Sequence, residues 1–266
     1  MPNHCELVYC GVYCSDGLLA LACFAANHHL AVYMSEPSSK ATETRNRFRS
    51  ASPAILPSLL MCDFSNLERE VRQLEEAGIA VLHLDVMDGH FVPNLTYGMP
   101  IVEALRRVTD LALDVHLMIS DPSQYAHAFI EAGADAITFH IEAESNPEGL
   151  LRSIQSHGVL AGLAINPQTG WETVTPFVEF CDLFLVMSVQ AGFGGQAFNP
   201  IALERLSQLH DQYGDRLLLE VDGGVNEKTI GSCVAAGADL LVVGSALFKQ
   251  PDYCQAITRL QAAYSP

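Results

Sequence analysis

From Ala54 onward, short apolar runs rich in β-branched residues alternate with stretches of helical period, and the alternation repeats eight times. The predicted strands are 54–58, 80–86, 111–118, 136–140, 160–165, 183–188, 217–222 and 240–244. Between them the pattern changes period. In 66–77, Leu67, Val71, Leu74 and Glu75 fall at helical spacing, and 122–132 opens with Asp121 as N-cap and Pro122 in the first turn. Three helix-to-strand junctions repeat one text, Glu-Ala-Gly or Ala-Ala-Gly followed by an apolar run, at Gly78, Gly133 and Gly237. A glycine suits the residue after a helix because that position often takes positive φ. Eight strand-helix units with parallel strands predict a (β/α)8 TIM barrel, a fold that takes about 250 residues. The competing open doubly wound sheet lacks its Gly-x-Gly-x-x-Gly after the first strand.

Residues 1–53 read differently. They hold neither a period of 2 nor of 3.6, and 35–52 is rich in Ser, Thr and Arg. They are set aside as an unstructured or mis-assigned N-terminal extension, with Met34 as an alternative start, leaving 54–266 as a single catalytic domain. The apolar patch from Leu18 to Ala26 invites a secretory signal, but no Lys or Arg precedes it and Glu6 and Asp16 do.

A period of 2 places specific polar groups at the ends of strands, where barrel active sites form. His83, Asp85 and Met87 share a face of the second strand; Asp114, His116 and Met118 share one on the third; Glu220 and Asp222 share one on the seventh. A single inward His is more often a hydrogen-bonded core residue than a ligand. Two imidazoles and two carboxylates converging from three strands, His83, Asp85, His116 and Asp222, instead suit one divalent ion such as zinc, iron(II), manganese or cobalt. His140 also ends a strand and can line the pocket. His127, His157 and His210 fall on helices and His90 in a loop; none is assigned to the metal.

Charge narrows the ligand. The net charge is -17, with 31 acidic against 14 basic side chains, which excludes nucleic acid or an anionic membrane as main partner. After Arg49 the only lysines are Lys228 and Lys249, so a phosphate must be held largely by backbone N–H groups and a few arginines. Three glycine clusters at neighbouring strand ends supply the backbone groups: Gly192 to Gly195, Gly223-Gly224, and Gly244 beside Ser245. No apolar run reaches membrane-span length, and eight cysteines without a Cys-x-x-Cys pair read as isolated thiols of a cytoplasmic protein.

At these residues the sequence closely resembles ribulose-phosphate 3-epimerase. The matching stretches are Pro57-Ser58-Leu59-Leu60 with Asp63-Phe64, the twelve residues from His83 to Asn94, Asp114 to Met118, Met187-Ser188-Val189, Gly192 to Gln196, Glu220 to Val225 and Gly244-Ser245. The resemblance implies metal ligation by His83, Asp85, His116 and Asp222, with Asp85 and Asp222 also acid and base on opposite faces of a small phosphorylated ketose. It further implies that Ser58 and His116 contact the substrate and that Met87, Met118 and Met187 pack around the reacting carbons, a role for which core filling is the competing reading. Phe193, Asp222 and the glycines with Ser245 complete the implied substrate site, and a homo-oligomer is implied as well. Two departures stand out. Family members usually carry proline where this chain has Ala191, which implies a looser phosphate loop, and often Ser-Ala where it has Met61-Cys62.

The implied reaction interconverts D-ribulose 5-phosphate and D-xylulose 5-phosphate through an enediolate, as in the pentose phosphate pathway. The alternatives are epimerisation of a six-carbon ketose 6-phosphate such as allulose 6-phosphate, and a non-catalytic phosphosugar-binding barrel. Barrel lyases that read Asp-x-Lys-x-x-Asp at the second strand are disfavoured, because Met87 stands at the Lys and His90 at the last Asp.

Overall fold

The computed structural model describes residues 39–264. The strands form where the alternation places them: β1 (Ala54–Pro57), β2 (Val81–Met87), β3 (Ala112–Met118), β4 (Ala136–His140), β5 (Leu160–Ile165), β6 (Leu183–Met187), β7 (Leu218–Asp222) and β8 (Leu240–Val243). All pair in parallel, in the order β1-β8-β7-β6-β5-β4-β3-β2. The remaining gap is bridged by a parallel pair between Ser58 and His83, so the sheet curls into a nearly closed barrel.

The helices are α1 (Ser39–Ser50), α2 (Leu67–Glu76), α3 (Met99–Val108), α4 (Pro122–Ala132), α5 (Pro147–Ser156), α6 (Ile201–Tyr213), α7 (Ile230–Ala235), α8 (Ser245–Phe248) and α9 (Tyr253–Ala262). Asp121 caps α4 as predicted, accepting from the Gln124 N–H. Gly78, Gly133 and Gly237 all adopt positive φ, so the repeated junction has the backbone reason expected of it. One unit departs from the regular pattern. Between β5 and β6 the chain makes two single 3-10 turns, Trp171–Thr173 and Val178–Phe180, because Gly170 and Pro176 interrupt any longer helix.

The alternation along each strand sorts the core in two. Leu82, Leu84 and Val86 of β2, with Ile137, Leu163 and Val221, face outward into a layer shared with the helices. Leu56, Val81, Ala112, Leu183, Leu218 and Leu240 face inward and fill the lower barrel. Four inward positions near the top are instead His83, Asp85, His116 and His140.

Helix α1 corrects the boundary drawn from the sequence. Residues 39–50, set aside with the extension, fold as a helix across the N-terminal end of the barrel, and Phe48 is fully buried in the inner core. Three arginines anchor it. Arg45 pairs with Asp182 and donates to the Arg216 carbonyl at 2.7 Å; Arg47 donates to the Asp110 carbonyl at 2.5 Å; Arg49 donates to the Asp215 and Leu217 carbonyls. The signal was invisible to periodicity because a single apolar side chain and long-range arginine contacts make the fit. The expectations about Leu18 to Ala26 and Met34 lie outside the described residues.

Candidate active site

Parallel register sets the polar groups side by side. β2 pairs His83 with Asp114 and Asp85 with His116, while β6 and β7 pair Met187 with Asp222. One ligand atom from each of His83, Asp85, His116 and Asp222 lies within 4.8 Å of the others. Nε2 of His83 is 3.4 Å from Oδ1 of Asp85, and Nδ1 of His116 is 3.3 Å from the same oxygen. Buried Nε2 of His83 has no hydrogen-bond partner. An orphaned imidazole nitrogen among carboxylates and a second imidazole is costly in a protein interior, and deprotonated it offers the ligand a borderline divalent ion requires. The four side chains therefore fit a metal ion.

Behind each imidazole stands a second layer of polar groups. Nδ1 of His83 lies 2.6 Å from Oδ2 of Asp114 and 3.1 Å from Oε1 of Glu220. Nε2 of His116 lies 2.9 Å from Nε2 of His140, whose Nδ1 is 3.2 Å from Oε2 of Glu142 and 3.2 Å from the Asn166 amide nitrogen. Ser58 donates to Oδ2 of Asp85 at 2.5 Å.

The electrostatics divide the two aspartates. Burial alone would raise Asp85, but the His83 charge and the His116 hydrogen bond outweigh it and hold the carboxyl well below its usual range. Burial, reinforced by the Asp85 charge, pushes Asp222 up to about 7. Burial lowers His83, yet Asp85 and Asp114 beside it win and raise it well above the usual imidazole value. Burial lowers His116, and lowers His140 to about 4, so both rings favour the neutral form. Burial and the Asp114 charge raise Glu220 well above the carboxylate range.

Above this layer opens a cavity of about 220 Å³ at the C-terminal ends of the strands. Ser58, Asp85, Met87, Met118, Met187, Gly192, Phe193, Gly194, Gly195, Asp222, Gly223, Gly224, Gly244 and Ser245 all line it. His83 and His116 lie beneath, fully buried. Glycine is required at two rim positions. Gly223 has φ 109° and a Cβ there would come 2.5 Å from Val189; Gly224 has φ 63° and its Cβ would come 2.6 Å from the Phe198 nitrogen. Neither Lys228 nor Lys249 lines the cavity, and buried Arg205 spends its donors on the Asn166, Pro167 and Thr169 carbonyls. A phosphate here would meet backbone.

Ala191 behaves differently from its expectation. The resemblance implied a looser loop, but the Ala191 N–H, which a proline would lack, donates to Oδ1 of Asn166 at 3.0 Å. The loop is tied down at that point.

The model of the ribulose-phosphate 3 epimerase family matches residues 54–248. The chain belongs to the ribulose-phosphate 3 epimerase family. Ribulose-phosphate 3-epimerase of Bacillus subtilis (strain 168) is 44% identical over 213 residues, covering 79% of this chain and 98% of the relative. Its counterpart in Mycobacterium bovis is 43% identical over 215 residues, covering 80% and 93%. Among solved structures, 3-keto-L-gulonate-6-phosphate decarboxylase from Vibrio cholerae superposes with a TM-score of 0.60 at 18% identity, covering 81% of this chain and 100% of that one. That likeness establishes a shared barrel and nothing about the reaction. Family membership makes the chain an isomerase and bears out the resemblance.

Sequence reasoning left Asp114, Glu220, Glu142 and Asn166 without roles and offered His140 as a pocket-lining residue, whereas it lies fully buried behind His116 and does not line the cavity. Period 2 put Asp114 and Glu220 on the correct faces and His140 at a strand end. The contacts that give these residues meaning cross between strands and loops distant in sequence.

Proposed function

We infer that this chain epimerises ribulose 5-phosphate at carbon 3, giving xylulose 5-phosphate, with Asp85 and Asp222 exchanging the proton across the two faces of the sugar. The observation that carries the reading is the pair of carboxylates brought together with His83 and His116 at the floor of a glycine-rimmed cavity. When bound by His83, Asp85, His116 and Asp222, a divalent ion such as zinc, iron(II), manganese or cobalt supplies Lewis-acid stabilisation of the charge that develops on the ketone oxygen.

The remaining steps belong to the chain. One carboxylate can take the carbon-3 proton from one face, while the other, in its acid form, returns a proton to the opposite face; the reverse reaction exchanges their roles. Ser58 holds Asp85 in one orientation through its 2.5 Å hydrogen bond. Met87, Met118 and Met187 line the cavity beside the carboxylates and shield an enediolate from water. The backbone at Gly192 to Gly195, Gly223, Gly224, Gly244 and Ser245 is the phosphate's seat, which suits a cavity without lysine. The relatives' names favour the five-carbon substrate over a six-carbon one.

The free thiols of Cys62, Cys181, Cys233 and Cys254 suit a reducing compartment such as the cytoplasm. Among the described residues no helix is long and apolar enough to cross a membrane. We expect a homo-oligomer, which sedimentation will measure.

The test is conversion of D-ribulose 5-phosphate by purified protein, with and without a chelator, beside allulose 6-phosphate. Chelator-sensitive formation of xylulose 5-phosphate is the expected result. Faster turnover of the six-carbon sugar would reassign the substrate, and binding without turnover would leave only a phosphosugar-binding barrel.

A further inference from the structure

A buried hydrogen-bond chain runs from the glycine loop to one imidazole of the candidate metal site. The Ala191 N–H donates to Oδ1 of Asn166 at 3.0 Å, which turns the Asn166 amide nitrogen toward Nδ1 of His140, 3.2 Å away. The opposite oxygen of the neighbouring carboxylate is also committed: Oε1 of Glu142 accepts from the Asn166 N–H at 2.9 Å and from the Thr169 hydroxyl, leaving Oε2 to face Nδ1 of His140 at 3.2 Å. Nε2 of His140 then meets Nε2 of His116 at 2.9 Å, and the two rings stack at 5.0 Å.

A neutral imidazole carries one N–H, so two neutral rings meeting nitrogen to nitrogen have two consistent arrangements. In one, the Asn166 amide donates to Nδ1 of His140, the Nε2–H of His140 donates to His116, and the proton of His116 sits on Nδ1, pointed at Asp85. In the other, the Nδ1–H of His140 donates to Glu142, Nε2 of His140 accepts from the Nε2–H of His116, and Nδ1 of His116 presents a lone pair to Asp85 and Asp222. Only the second leaves His116 able to ligate.

We propose that Glu142, acting through His140, is a positioning residue that selects the metal-binding tautomer of His116, with Ala191 and Asn166 holding the competing donor in place. This rests on the metal reading of His83, Asp85, His116 and Asp222. A carboxylate at 142 is acceptor-only and stabilises the Nδ1–H of His140. In Glu142→Gln the amide oxygen stays with the Asn166 N–H and Thr169, so the new NH2 faces Nδ1 of His140 and imposes the other arrangement.

The test uses the full chain with zinc as probe, reading affinity by chelator competition and the histidine tautomers by 15N NMR. Wild type is expected to show, with zinc, a proton on Nε2 of His116 and on Nδ1 of His140. Glu142→Gln should weaken zinc binding about 10- to 100-fold and move the metal-free His116 proton to Nδ1. Adding Asn166→Asp returns a carboxylate oxygen to Nδ1 of His140 and should recover most of the affinity, a rescue that a merely structural role would not give. Unchanged zinc affinity and tautomers in Glu142→Gln, or a loss that Asn166→Asp does not restore, would overturn the proposal while leaving the metal site intact. Wild-type protein that takes up no zinc, iron(II), manganese or cobalt would remove the metal reading and this inference together.

Discussion

The same eight strands build the two ends of this barrel by opposite rules. At the N-terminal end, Phe48 of α1 drops into a floor that includes Ala54, Val81 and Ala112, and arginines close over strand-leading carbonyls. At the C-terminal end, inward positions two and four residues farther along β2 and β3 are His83, Asp85, Asp114 and His116, fully or almost fully buried, and Nε2 of His83 and Oδ1 of Asp114 lack hydrogen-bond partners. Dispersion and burial stabilise the first end. The second end is held in place by the rest of the fold and gives function rather than stability. A change at one end should therefore be felt in a different measurement from a change at the other.

The sharpest way to break this contrast is Asp85→Asn. The amide keeps the shape but neither takes a proton nor ligates as a carboxylate, so turnover should fall about 10⁴-fold while the melting temperature stays near wild type. Phe48→Ala should do the reverse, costing about 3–5 kcal/mol of stability in a denaturant titration with kcat/KM unchanged at low temperature. Loss of activity in a folded Phe48→Ala protein would join the two ends. Gly224→Ala places a Cβ against backbone at positive φ, and strain of about 1–3 kcal/mol should appear together with a raised KM for the phosphosugar.

The smallest effect concerns protons. In the metal-free protein Asp222 holds its proton until pH rises through about 7, and His83 holds one to higher pH because its value is raised. Both protons must leave when a metal binds, so affinity increases with pH. Calorimetry of zinc uptake should record release of about two protons at pH 6, falling toward one above pH 7. A pH-independent affinity across that range would contradict the site's composition.

Much of this was legible in the residues. β4 and β5 coincide with their predicted ranges and the other strands shift by a residue, because a β-strand with two distinct faces advertises its period. The faces of β2, β3 and β7 carried the ligand cluster in the same way. Helix α1 was not legible, because its sequence has no apolar stripe and owes its form to Phe48 and three arginines reaching other parts of the chain. The missing helix between β5 and β6 was likewise a matter of Pro176 in local context. The chain from Ala191 through Asn166, His140 and Glu142 to His116 joins the loop after β6 to β5, β4 and β3, and only packing brings those residues together.

The central claim is that two carboxylates serve opposite faces of one sugar. It is tested most directly by running the reaction in heavy water and following carbon 3 by NMR at early times. Two bases predict xylulose 5-phosphate carrying solvent deuterium at carbon 3 from its first appearance, while the recovered ribulose 5-phosphate is still protonated there. Product that retains the substrate's own hydrogen at carbon 3 would mean that a single group carries the proton across, and would contradict the account.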